Sequence, residues 1–170
     1  MKKLVLQFFC FASFLMANAQ EGKSANGYRG YVDLAIGDAY NLNTARTIST
    51  NNMQWHGMVS TTHGYRFKNW FVGGGAGYYH SFRDKETMYP IYAAGRYTFD
   101  NGRTKPFVEA RAGVIYDPLW VETVQKYGAL SVGMKVYKGL HIGLGGSIFS
   151  RPSRYFTANA AVVLSYGFGK

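Results

Sequence analysis

The residues of this 170-residue chain best suited to acid–base chemistry are its four histidines, and two of them stand near a serine. Nucleophilic catalysis needs a hydroxyl beside a base, and a carboxylate to orient that base. If residues 53–67 form a strand, His56 and Ser60 share its inward face and His63 falls on the opposite face, near Gly74. His80-Ser81 closes the next strand. No carboxylate falls beside any of these pairs, and none forms a hydrolase motif. The run Gly73-Gly74-Gly75 lacks the strand–turn–helix context of a phosphate loop. The histidines have no ligand spacing, so the expectation is no metal, no cofactor and no enzyme. What remains is a set of charges on one strand face, Arg96, Glu109 and Arg111, with Asp33, Arg66 and Lys135 on neighbouring inward faces.

The segments that must position those charges alternate strictly. Residues 89–99 put Tyr89, Ile91, Ala93, Gly95, Tyr97 and Phe99 on one side, and Tyr92, Ala94, Arg96 and Thr98 on the other. Residues 106–116 divide into Val108, Ala110, Ala112, Val114 and Tyr116 against Glu109, Arg111, Gly113 and Ile115. Alternation of period two means strands. Pairing Phe99 with Pro106 across the turn sets Arg96 opposite Glu109. A hairpin with an apolar outside and an ion pair inside is inverted relative to a soluble protein. That pattern predicts a barrel with lipid outside and a polar interior.

Composition and address agree. Met1-Lys2-Lys3, an apolar stretch over 4–16 and Ala17-Asn18-Ala19 read as a cleaved secretory signal over 1–19, leaving 20–170 as one domain. The single Cys10 lies inside that signal without a lipoprotein context, so the mature chain is expected to hold no thiol. Net charge is +10, but an exported chain whose basic residues are scattered over turns and loops is not expected to bind nucleic acid. Mean hydropathy is −0.17, which hides membrane strands because only alternate residues are apolar. Aromatics at 17 % supply two interfacial girdles, assigned to Tyr28, Trp55, Phe67, Trp70, Tyr78, Tyr89, Phe99, Tyr116, Tyr166 and Phe168.

Eight strands are predicted, over 28–40, 53–67, 70–80, 89–99, 106–116, 127–136, 140–149 and 155–168. Polar stretches at 41–52, 81–87, 117–126 and 150–154 alternate with tighter turns at 68–69, 100–105 and 137–139. Asn69 is expected to take the left-handed conformation in the first turn, and Gly139 in the third, read as a three-residue loop opposing Val136 to Leu140. An even strand number and alternating connections predict an all-β, eight-stranded antiparallel up-and-down transmembrane barrel.

The run Trp70-Phe71-Val72-Gly73-Gly74-Gly75-Ala76-Gly77-Tyr78, the hairpin 90–97 with 106–113 and the ending Leu164-Ser165-Tyr166-Gly167-Phe168 carry a resemblance across the whole mature chain. It resembles the small eight-stranded outer-membrane barrels of Gram-negative bacteria, the OmpA/OmpX type, and in particular single-domain barrels of Bacteroidota. The resemblance implies residence in the outer membrane among its lipids and insertion by the barrel-insertion machinery through a C-terminal aromatic. Phe168 matches that aromatic, although Gly169-Lys170 follow it. So small a lumen has room for side chains only, so the charges are expected to pair and fill it. Activity is then expected from the loops 41–52 and 117–126, as contacts for an extracellular ligand. The alternatives are a lipid-modifying enzyme using His56 or Ser60, and a narrow solute pore.

Overall fold

The structure, a computed structural model, describes residues 26–42, 54–100, 104–118, 124–150 and 156–169. The predicted signal over 1–19, Cys10, residues 43–52 and 119–123 of the two long loops and 151–154 of the loop after 149 lie outside the described residues. Eight strands follow in order: β1 (Asn26–Leu42), β2 (Gln54–Phe67), β3 (Trp70–Ser81), β4 (Thr87–Thr98), β5 (Pro106–Tyr116), β6 (Gln125–Tyr137), β7 (Leu140–Ser150) and β8 (Phe156–Phe168). Each pairs antiparallel with its neighbours, and β8 returns to β1 to close the barrel. Closure leaves no strand edge, which a sheet in lipid requires. The shortest strands have 11 residues, enough to cross a hydrocarbon layer at a tilt.

The central hairpin has the expected register. Phe99 N–H donates to the carbonyl of Pro106 at 2.8 Å, and Arg96 stands opposite Glu109. Two turns differ from expectation. In the turn after β2, Lys68 and not Asn69 takes the left-handed conformation, at φ 54°. Between β6 and β7 the turn is Lys138-Gly139, with Lys138 left-handed at φ 27° and Tyr137 opposite Leu140. The extra residue is Val136, a bulge between Lys135 and Tyr137. A bulge shifts register by one residue, so a two-residue turn still sets Met134 opposite Ile142 and keeps both apolar faces outward.

The outer surface is apolar and banded. At the end with short turns, Tyr28, Tyr65, Phe67, Trp70, Tyr97 and Phe99 form one girdle, with Trp70 4.8 Å from Tyr97 and Tyr97 4.9 Å from Phe99. At the loop end, Trp55, Tyr78, Tyr89 and Tyr116 form the other. Exposed Leu34, Val72, Ile91, Leu130, Val132, Leu144 and Val162 lie between. Tyr166 is half-buried in the first girdle. Phe168 departs from the predicted girdle: it is only 7 % exposed, because its ring folds across the β1–β8 seam onto Gly30.

Candidate functional site

The inward face of the barrel brings several charges together out of water. Arg96 on β4 donates Nε to Glu109 Oε2, its direct partner on β5. Arg111, two residues further along β5 on the same face, donates Nε to Glu109 Oε1 and Nη2 to Asp33 Oδ2 on β1. Two carboxylates and two guanidiniums thus form one continuous, electrically balanced chain from β4 to β1. Asp33 is 1 % exposed, Arg96 2 % and Glu109 1 %. Charges so buried persist only when paired and hydrogen-bonded. Hydroxyls supply further partners: Arg111 donates to Ser60 Oγ at 3.1 Å and to Tyr92 Oη at 3.3 Å, and Arg96 donates to Ser165 Oγ at 3.5 Å.

The cluster is closed above and below by aromatic rings. Toward the short turns, the Arg96 guanidinium lies 3.8 Å from the centre of the Tyr31 ring and 4.3 Å from that of Phe107, in cation–π geometry. Phe71 meets Tyr31 edge-on at 5.0 Å, and His141 meets Phe107 edge-on at 5.6 Å. Toward the loops lies a buried layer of Tyr79, Met88, Tyr92, Ile115, Tyr127 and Phe149. Arg111 joins the two layers, its guanidinium 4.9 Å from the Tyr92 ring centre. A cavity of about 50 Å³ beside the cluster, lined by Asp33, His56, Tyr79, Arg111, Ser147 and Asn159, is the size of a few water molecules.

Four of the six predicted lumen charges come together here, Asp33, Arg96, Glu109 and Arg111. Arg66 does not: its Nε donates to the Lys68 carbonyl at 2.7 Å, at the turn. Lys135 stands opposite His141, nearer the turn and outside the four-residue cluster. Both lie too close to the short-turn end, where a long cation reaches water more cheaply than it reaches the centre. His56 and Ser60 share the inward face but not a contact. His56 stacks on Tyr79 at 5.0 Å, and Ser60 is held by Arg111 and Asp33. His80 pairs with Thr87 at 3.0 Å. Sequence reasoning missed the inward aromatics as seals. The signal was present: Tyr31 opposes Gly167, Tyr92 opposes both Gly75 and Gly113, and Phe107 opposes Gly133. A glycine across the ladder is what lets a ring lie down inside a narrow barrel.

No family model and no curated protein matches the chain. Solved structures do. Neisserial surface protein A matches at TM-score 0.55 and 15 % identity over 86 % of this chain and 99 % of that one. The outer membrane enzyme PagL matches at TM-score 0.62 and 14 % identity, over 80 % and 98 %. Ail, the attachment invasion locus protein of Yersinia pestis, matches at TM-score 0.50 and 7 % identity, over 84 % and 99 %. These likenesses carry the fold, a closed eight-stranded antiparallel barrel of the outer-membrane kind.

Proposed function

We propose that this protein is a non-conducting outer-membrane barrel that acts through the loops it presents at one end. The observation that carries the reading is the chain Arg96–Glu109–Arg111–Asp33 across the lumen, with an aromatic layer on either side of it. An ion crossing this lumen would have to break charge-assisted bonds in a region of low dielectric and move buried rings. The apolar exterior with its two girdles fits outer-membrane lipid, and the predicted signal supplies export. Insertion would proceed through β8, whose Phe168 is read before its ring closes over Gly30. In this reading the barrel performs no catalysis and carries no cofactor. An extracellular ligand meets the loops 41–52 and 117–126.

The test is planar-bilayer conductance of the refolded mature chain, after a heat-shifted gel band has shown the folded barrel. The expected record is silent. Steady, reproducible current steps would overturn the reading and make Arg96, Glu109 and Arg111 the lining of a selective pore.

A further inference from the structure

Between the two girdles, the outward residues of the described strands are glycine, alanine or aliphatic with two exceptions, Thr61 and His63 on β2. They lie four and two residues inward of Tyr65, about 13 and 7 Å along the strand from that girdle residue. His63 is exposed on this face and is bonded on both sides: Nε2 to Thr61 Oγ1 at 2.9 Å, and Nδ1 to the Tyr28 hydroxyl on β1.

Proton counting makes this trio unusual in lipid. A neutral imidazole has one N–H and one acceptor nitrogen, and each hydroxyl has one proton. The three groups hold three polar protons and share two hydrogen bonds. If Nδ1 carries the proton it donates to Tyr28, Thr61 donates to Nε2, and the Tyr28 proton is left over. If Nε2 carries it, Tyr28 donates to Nδ1, Nε2 donates to Thr61, and the Thr61 proton is left over. Either tautomer leaves one O–H donor facing a phase whose hydrocarbon cannot accept it. At the level of the girdle, where the Tyr28 hydroxyl stands, the acceptor that a lipid offers is the ester carbonyl of a glycerolipid. A phosphate would call for a cation, and no Lys or Arg joins the hydrogen bonds of the trio.

The surroundings form a notch of matching shape. On one side the Phe168 ring stands edge-on to His63 at 5.8 Å. On the other, the residue opposite His63 is Gly74, and a Cβ added there would meet nothing closer than the Tyr92 carbonyl oxygen at 3.7 Å. We propose that Tyr28, Thr61 and His63 form a docking site for one glycerophospholipid, whose ester carbonyl accepts the surplus hydroxyl proton and whose acyl chain crosses Gly74. The role assigned to the site is binding, and the backbone N–H groups of β2 are committed to the sheet on both sides. It needs lipid against the outer face but is independent of whether the lumen conducts.

The test uses the refolded mature chain in nanodiscs holding equal amounts of diacyl and dialkyl phosphatidylethanolamine of one chain length, with native mass spectrometry of the lipid retained. The ether lipid keeps the phosphate and lacks the carbonyl. The expected result is one retained lipid with diacyl favoured about fivefold, the worth of one hydrogen bond. The triple variant Tyr28→Phe, Thr61→Val, His63→Leu keeps the shape, removes every polar proton and should show no preference. Equal retention by the wild type would assign any bound lipid to its headgroup or to the general annulus and overturn the proposal; so would a preference surviving in the triple variant. A second readout needs only wild-type protein. The His63 ring ¹⁵N shifts should differ between all-diacyl and all-dialkyl nanodiscs, and identical shifts would also overturn it.

Discussion

Arg111 on β5 reaches across the lumen to Asp33 on β1, half the circumference of the barrel away, while its Nε holds Glu109 on its own strand. It is therefore the one member of the cluster bonded to both carboxylates. Removing Arg96 leaves Glu109 still paired to Arg111, whereas removing Arg111 leaves Asp33 buried with only the Ser60 hydroxyl, at 3.5 Å. Arg111→Met should therefore cost about 3–5 kcal/mol, and Arg96→Met roughly half of that. Urea unfolding in micelles checks the order. An Arg96 variant less stable than the Arg111 variant would show that the cluster is not organised about Arg111.

The lumen has two kinds of seal in series, and conductance should report both. Arg96→Ala with Glu109→Ala removes two of the three buried ion pairs but leaves the layer of Tyr79, Tyr92, Tyr127 and Phe149 in place. That double variant should remain silent in planar bilayers. Adding Tyr79→Ala and Phe149→Ala, which deletes an edge-on pair 5.7 Å apart, should produce current steps. Steps from the first double variant alone would mean that the rings do not seal.

Much of this was legible before the fold was known. The alternation of the central hairpin placed Arg96 opposite Glu109, because one register alone keeps both apolar faces together. The partner on β1 was harder to see. Asp33 has the right parity, but which cation it meets depends on barrel closure and on how far across a side chain reaches. Arg66 and Lys135 have the same parity and stay outside the cluster. Turn details were less legible still. The left-handed positions went to Lys68 and Lys138, beside the Asn69 and Gly139 that local preference favours, because strand register outweighs a local cost of about 1–2 kcal/mol.

Interior glycines should prove unequal. A Cβ on Gly75 would lie 2.5 Å from the Thr61 carbonyl oxygen and 2.7 Å from the Tyr92 ring, which is fixed by hydrogen bonds to Thr62 at 3.0 Å and from Arg111 at 3.3 Å. Gly75→Ala must shift both the ring and the β2 backbone at Thr61 and should destabilise the barrel by about 1–3 kcal/mol. On β4, outward Gly95 has nothing within 4 Å of an added Cβ, so Gly95→Ala should change stability by less than about 0.5 kcal/mol. Thermal shift of the unheated gel band separates the two. Equal effects would mean that the Tyr92 ring and the neighbouring β2 backbone both give way freely.

Phe168 gives the last prediction, because its ring does a different task from the girdle aromatics it resembles in sequence. It lies over Gly30, its direct partner across the β1–β8 seam, and a Cβ on Gly30 would overlap the ring. The ring thus joins the first strand to the last at the point where closure is completed, and burying it should contribute about 2–3 kcal/mol. Phe168→Ala should lower stability by about that amount. Phe67→Ala on the exposed girdle, where lipid replaces the lost contacts, should cost less. Gly30→Val should also weaken the closed barrel, and combining it with Phe168→Ala should recover part of the loss, since the space the valine needs is the space the ring vacates. Strictly additive losses in that pair, measured by urea unfolding in micelles, would show that Phe168 does not fasten the seam.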